Sequence, residues 1–512
     1  MTLSLLKEQR RAWLFSLFML GFFYLLAFLG KPQFSDSRVM FSVIQSVATR
    51  GEIDIDTELH RLKNKGRQQA KESLSAKSES PGKRLPIQRI QSDDGRQYAI
   101  YGLGQVFAAL PFYKAGLLIR QRIGTDTLKY FMGSPEEFMS MIMNPILTIL
   151  TCLVYFKLLQ LLNFSTGKII WFTLMLGLGT NLFSTSRTFF MHPLNVFLAL
   201  LSFYLLLCYE RDSKKWRLLL AGFLLGYGYF TRITMLIFLG LFCLYLITLL
   251  YQRYSSGAIS IRTGVVHFLL FVSPFVAFFV GQAAMNYAIF STLTLSAYFI
   301  ADIPLFSGSI LEGMRGLLIS PSRSFFIYSP VMIVFFLSLR KSYRQNKGLT
   351  ILMTTIFLVH LLLYARNNGW FGGYCFGPRY LNVTIPFLMV LIAQRYQHRS
   401  TMAILVQTGP LFLAGFIVQF LGSITYFYPC DKARTFHEYY FSLRHSQLYG
   451  LWHNTLEGNF ETWLQTIWHF PSGQTITLTI FGLYICFFGL AFLFVRDGRG
   501  RPTQLTHEGH SG

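Results

Sequence analysis

Between residues 13 and 495 the chain returns twelve times to an apolar run long enough to approach the width of a bilayer. The runs lie near 13–30, 140–162, 168–186, 190–208, 217–231, 233–250, 263–284, 324–339, 349–366, 381–394, 401–427 and 475–495. Backbone exposed to lipid must satisfy its own N–H and C=O groups, so runs of this kind become helices. Composition closes the soluble alternative: 52% of residues are hydrophobic and 13% charged, about half the charge of a water-facing domain. Disorder would need low hydrophobicity and a disulfide scaffold would need dense cysteine. The six cysteines, at 152, 208, 243, 375, 430 and 486, form no CxxC or paired metal-ligand spacing. The expected fold class is an all-α integral membrane protein of about twelve transmembrane helices, with a juxtamembrane helix in its first outer loop.

Lys and Arg number 46 against 23 Asp and Glu, a formal net charge of +23. No basic helix, zinc spacing or RNA-binding aromatic motif accompanies that charge, so no nucleic-acid partner is expected and topology is the simpler source. Lys7, Arg10 and Arg11 precede the first run and no small-x-small cleavage site follows it, which reads as an uncleaved first span with a cytoplasmic N-terminus. Residues 99–118 are apolar but interrupted by glycines and Pro111. If they lie on the outer surface, the connections 209–216, 251–262, 340–348 and 395–400 and the tail from Arg496 all face the cytoplasm, and each is short and basic. If they span, those basic loops face outward, against the positive-inside rule. The basic first outer loop, 31–98, weighs less, because long loops translocate largely regardless of charge.

The expected divisions are 1–30 (N-terminus and first helix), 31–139 (outer loop with juxtamembrane helix), 140–427 (helices two to eleven), 428–474 (aromatic outer loop) and 475–512 (last helix and cytoplasmic tail). Residues 60–84 have almost nothing apolar to bury and are expected to be mobile, whereas Trp452, Trp463 and Trp468 give 428–474 enough apolar area to fold on the membrane surface.

On this topology the unusual polar residues Asp36, Arg38, Arg187, His192, Arg232, Arg315, Arg323, Arg366 and Arg379 all fall at outer helix ends. Asp36, in FSDSRVMF, could take a proton from a hydroxyl or cap the helix that follows. A guanidinium fork pairs with phosphate oxygens in two places, so Arg379, Arg232, Arg187 and Arg366 are candidates for a lipid-linked phosphate; snorkelling to headgroups is the ordinary alternative. In NNGWFGGYCFGPRYLNVTIPF (367–387), glycines allow tight turns while Trp370, Tyr374 and Tyr380 offer flat surfaces for sugar or lipid. His192 before Pro193 could donate to a phosphate or be structural. His437, His445, His453 and His469 lack metal spacing, so no metal or other cofactor is expected. Cys375 and Cys430 lie in two outer loops and could pair.

In order along the chain, FSDSRVMFSVIQSVATRGEIDID, YAIYGLGQVFAALPFYKAG, GLGTNLFSTSRTFFMHP, GYGYFTRIT, GLLISPSRSFFIYSP and FGGYCFGPRYL resemble segments of the type C polytopic glycosyltransferases (GT-C). That family includes protein O-mannosyltransferases and lipid A aminoarabinose transferases. The resemblance implies transfer of a sugar from a polyprenyl-phosphate donor to a glycan, lipid or protein acceptor hydroxyl on the outer face of the membrane. The bare N-terminus and the absence of retention signals lead to the expectation of a bacterial inner membrane with a periplasmic outer face, although an endoplasmic reticulum would present the same outer-face chemistry. The resemblance also implies that Asp36, which matches the family's first-loop acid, is the general base of an inverting displacement. The family does not fix the phosphate partners residue by residue, and Arg379 and Arg232 are the candidates to stabilise the leaving phosphate. Tyr101, in the surface-helix segment, is a further candidate contact for sugar or lipid. The sequence departs from the family where a second acid is common: Ser37 follows Asp36, and RTFFMHPLN contains none. Glu52, Asp54 and Asp56 could substitute from the same loop or form a solvated surface. Two other functions compete: a transporter or flippase of lipid-linked glycans, to which His360 inside a span would belong, and a non-catalytic membrane assembly factor.

Overall fold

The computed structural model describes residues 3–55, 89–92, 95–124, 130–131, 133–300, 306–427 and 435–497, the side chains of 3–7 and 486–497 aside. The segment 60–84, Asp56 and Cys430 lie outside them. In chain order come α1 (Leu3–Leu26), α2 (Ser35–Arg50), a hairpin of β1 (Arg89–Gln91) and β2 (Gln97–Ala99), α3 (Gly104–Arg122) and α4 (Pro135–Leu161). Next are α5 (Thr166–Leu178), α6 (Leu182–Ser186), α7 (His192–Asp212), α8 (Lys215–Thr231), α9 (Met235–Ser255) and α10 (Ile261–Phe290). The second half holds α11 (Ile310–Ile319), α12 (Phe325–Tyr328), α13 (Val334–Gln345), α14 (Lys347–Ala365), α15 (Ile385–Arg395) and α16 (Thr401–Ile424). Short helices α17 (Phe436–Phe441), α18 (Gln447–Leu456) and α19 (Trp463–Trp468) precede the long α20 (Pro471–Asp497).

The all-α expectation holds: apart from one antiparallel hairpin, pairing Arg89 with Ala99 and Gln91 with Gln97, the described regular structure is helical. Six helices are long and apolar enough to cross a membrane: α4, α7, α9, α10, α14 and α16. The other six runs meet local breaks or limits. Lys7, Glu8, Arg10 and Arg11 charge the first half of α1. The run 168–186 divides into α5 and α6, and 324–339 divides at Ser329-Pro330, where proline withdraws a backbone donor. Helix α8 is 17 residues long, and 381–394 opens with a 3-10 turn, Arg379–Thr384. Helix α20 spans 27 residues, with its side chains described as far as 485.

Burial separates centre from periphery. In α7, 83% of the apolar window is buried, against 17% in α10 and 22% in α16. Leu269, Val276, Val280, Val406 and Leu413 stand exposed on those outer helices, a surface that suits lipid and would be a liability in water. The stretch 99–118 is helical only from Gly104: Ala99 ends β2, and the continuous helix is α3, Gly104–Arg122, with Pro111 inside it, packed against α2 and α4. Helix α4 starts sharply because Ser134 and Glu137 form a reciprocal capping box ahead of Pro135. The segment after 434 folds as α17 to α19, and Trp463 anchors it by packing on Phe28 and Phe138 and donating to the Tyr130 carbonyl at 2.8 Å.

Candidate functional site

Phe34, not Ser35 or Asp36, is the N-cap of α2, and no side chain caps that helix. Asp36 therefore stands within the first turn, where the helix dipole favours a carboxylate, and its Oδ2 accepts from Arg379 Nη2 at 3.0 Å. The two residues lie 343 positions apart in sequence, so the fold, not local chain geometry, makes this pair.

Arg379 opens the 3-10 turn after the glycine loop. Gly377 adopts φ +65°, and a Cβ there would sit 2.4 Å from Asn181 Oδ1, so both conformation and space require glycine. Gln447 of α18 clasps the loop by accepting from the Gly377 N–H at 3.1 Å and donating to the Cys375 carbonyl at 2.6 Å. Beneath it, Asn181 donates to Asn382 Oδ1 at 2.8 Å and Asn382 donates to Thr185 Oγ1 at 2.7 Å, fixing the 3-10 turn to α6. The guanidinium of Arg379 lies 4.1 Å from the Phe190 ring centroid, a cation–π contact. Burial opposes its charge most strongly, but Asp36, Tyr380 and Cys375 together outweigh burial and hold the guanidinium above its ordinary value.

Arg232 ends α8 in an extended conformation. Its Nη1 lies 2.6 Å from His192 Nε2. A guanidinium only donates, so Nε2 accepts and the remaining ring proton sits on Nδ1. Arg232 also faces the rings of Tyr380 at 5.1 Å and Tyr364 at 5.5 Å, and those two rings stack at 4.4 Å. Tyr101 arrives because Gly102 lies against the Phe230 and Thr231 carbonyls, where a Cβ would approach to 2.5 Å. Burial first, then the Asp36 carboxylate it faces, push the Tyr101 phenol well above its usual value.

Asp36, Tyr101, His192, Arg232, Arg379 and Tyr380 thus line one cleft of about 370 Å³ with Met40, Phe189, Phe190, Met191 and Tyr298. It adjoins a second space of about 600 Å³, which shares Tyr101, Met191, Arg232 and Tyr298 and is otherwise lined mainly by apolar residues such as Ile53, Met285, Ile289 and Leu295.

Other candidates are placed elsewhere. Arg187 is buried and donates to the carbonyls of Ser423 and Glu461, tying α16 to the late loop. Arg366 donates to the Gly308 carbonyl at 2.8 Å, outside the cleft lining. Trp370 is a core residue packed on Gly316, Phe371 and Tyr440, and Tyr374 is 60% exposed. Asp54 accepts from Ser46 and Arg50, both at 2.5 Å, and Glu52 pairs with Arg50 and Arg96. These two carboxylates brace the end of α2 and do not supplement Asp36. Cys375 is a free, buried thiol. No three metal-ligating side chains come together among the described residues.

Besides Gln447, two contributors were not singled out for the site. Tyr298 completes the cleft, and its sequence setting, SAYFIAD, carries no distinguishing spacing. Arg323 was visible as one of the outer arginines; it is fully buried and donates to the Phe371, Ser322 and Gly373 carbonyls at 2.6, 3.0 and 2.8 Å, holding the glycine loop from its other side. Neither a protein-family model nor a curated protein sequence matches the chain.

Proposed function

We propose that the chain is a polytopic membrane glycosyltransferase of the GT-C kind, with about twelve spans, both termini cytoplasmic, and its cleft on the periplasmic side of a bacterial inner membrane. The observation that carries this reading is the Asp36–Arg379 pair at 3.0 Å, set beside Arg232, a second guanidinium bonded to a neutral histidine nitrogen. One carboxylate facing two fixed cations leaves an excess positive charge, which suits a phosphate leaving group in preorganised surroundings.

A donor phosphate competes with Asp36 for Arg379, so donor binding frees a carboxylate oxygen. Asp36 then takes the acceptor hydroxyl's proton as the acceptor oxygen bonds to the anomeric carbon. The bond from that carbon to the phosphate oxygen breaks, and its electron pair leaves on the polyprenyl phosphate beside Arg379 and Arg232. A single displacement inverts the anomeric centre. Tyr380 and Tyr101 supply the aromatic faces for the sugar, and the adjoining apolar space suits a prenyl chain. No metal enters this scheme.

The test compares membranes of deletion cells expressing wild-type protein or Asp36→Asn at matched levels, by mass spectrometry of polyprenyl-phosphate sugars. Accumulation of one such lipid with Asp36→Asn supports the reading and identifies the donor. Matched lipid profiles, with both chains restoring the deletion phenotype, overturn it. The transport alternative draws on His360, buried within α14 with Nδ1 on the Ile356 carbonyl at 2.8 Å and Nε2 unpartnered. Flux of a labelled lipid-linked sugar across proteoliposomes, abolished by His360→Leu, would favour it.

A further inference from the structure

Helices α13 and α14 form a hairpin joined by Asn346, whose side chain caps α14 by accepting from the Leu349 N–H at 2.9 Å. Between them runs an open groove of about 800 Å³, bordered by Leu339, Arg340, Tyr343, Arg344, Ile351 and Thr354. The groove lies toward the start of α14, and the Tyr364 that stacks on Tyr380 lies at its other end. At 1.5 Å per residue the two regions are roughly 20 Å apart along the helix.

The charge here is unlike that of the cleft. No Asp or Glu occurs between Glu312 and Asp431. The neighbouring cations are engaged with backbone: Lys341 donates to the Arg395 carbonyl, Arg395 to the Leu337 carbonyl and Lys168 to the Gln397 carbonyl, each at 2.6 Å. Burial, and then Arg399, Arg395 and Lys168, lower the Lys341 ammonium, as expected where positive charge is not neutralised. Arg340 and Arg344 are exposed and make no hydrogen bond or ion pair among the described residues. Four positions apart, they share one helix face. Beside them the Thr354 hydroxyl has no partner, whereas Thr350 one turn earlier donates to the Asn346 carbonyl. Exposed Phe336, Leu337, Ile351, Leu358 and Leu362 continue the apolar surface away from the arginines.

We propose that this groove binds an anionic phospholipid, its phosphate held by Arg340 and Arg344 and its acyl chains laid along the α13–α14 surface. Two forks one helical turn apart match a phosphodiester in charge and reach, and the apolar strip meets the acyl chains. A zwitterionic headgroup would bring an ammonium to a groove whose lining, among the described residues, holds two guanidinium groups and no carboxylate. The inference is independent of the transferase reading.

The full chain, reconstituted in nanodiscs of equal phosphatidylglycerol and phosphatidylcholine, is extracted and its retained lipids counted by native mass spectrometry. Wild-type protein and the control Arg262→Gln should retain phosphatidylglycerol preferentially. Arg340→Gln with Arg344→Gln should reduce that retention on the order of tenfold, the effect of losing charge-assisted hydrogen bonds. Thr354→Phe, which fills the groove and keeps both charges, should reduce it as well. Equal retention of the two lipids by wild-type protein, or undiminished retention in both groove variants, overturns the proposal. Displacement by glycerol 3-phosphate at concentrations comparable to the lipid would assign a free phosphate ester instead and also overturns it. A photoactivatable phosphatidylglycerol requires no variant: crosslinks on wild-type protein should map to 339–355, and crosslinks confined elsewhere refute the site.

Discussion

On the proposed transferase reading, Asp36 stands where two opposing demands meet: Arg379 holds it in the resting cleft and must release it to act. A lysine at 379 keeps a cation but loses the planar fork, which can span the carboxylate and an incoming phosphate together. Arg379→Lys should therefore raise KM for the lipid-linked donor more than it lowers kcat, whereas Asp36→Asn should lower kcat by about 10²–10⁴-fold, the usual span for losing a positioned base. Initial rates with purified protein separate the two. Tyr101 makes a different prediction. Its phenol is raised well above 10.0, by burial and then by Asp36, so above pH 10 the unfolded chain loses a proton that the folded chain keeps. Stability from this group is complete below the unfolded value and falls as pH climbs through the ordinary tyrosine range toward the folded value. Thermal unfolding in detergent should show a shallower alkaline decline for Tyr101→Phe than for wild type; equal slopes would remove Tyr101 as a contributor.

At the scale of elements, the glycine loop and its clamps decide whether Arg379 reaches Asp36. Gly377→Ala forces a left-handed residue and a contact at 2.4 Å with Asn181, and should cost about 1–3 kcal/mol, read as a lower unfolding midpoint. Gln447→Ala leaves the Gly377 N–H and the Cys375 carbonyl without their partner and should act in the same direction, by about 1–3 kcal/mol. Sequence made part of this legible. Arg232 and Arg379 could be singled out because each stands at an apolar helix end without an acidic neighbour, and the glycines of 369–377 announced a tight turn. Arg187 looked equivalent, yet the carbonyls that engage it come from Ser423 and Glu461, more than two hundred positions away. Trp370 resembled a sugar platform because an aromatic in a glycine loop reads alike whether it faces a cleft or, as here, Gly316 and α17. Long-range closure of this kind has no local periodicity to reveal it, and Tyr298 and Gln447 escaped notice for the same reason.

At the scale of the molecule, chemistry divides between two ends of a helical bundle. One end gathers Asp36, Arg379, Arg232 and His192; at the other, α13, α14 and α15 present Arg340, Arg344 and Arg395 around the 346 turn. Helix α14 connects them directly, from Asn346 to the Tyr364–Tyr380 stack. Hydropathy alone located the runs but left their number of crossings open, because apolar residues around Ser329-Pro330 and Gly179 break into short pieces that sit within protein. Sidedness is a sharper test than counting. In a background lacking the native cysteines, single cysteines at Ser256, Gly348 and Arg399 should react with a membrane-impermeant maleimide from the side that carries the N-terminus. Cysteines at Tyr374 and Glu457 should react from the opposite side. If Gly348 and Tyr374 label from one side, α14 does not cross. The cleft and the basic hairpin would then share a leaflet, and one of the other eleven runs would also have to fail to cross, leaving an even number of crossings to keep the five basic loops on one side.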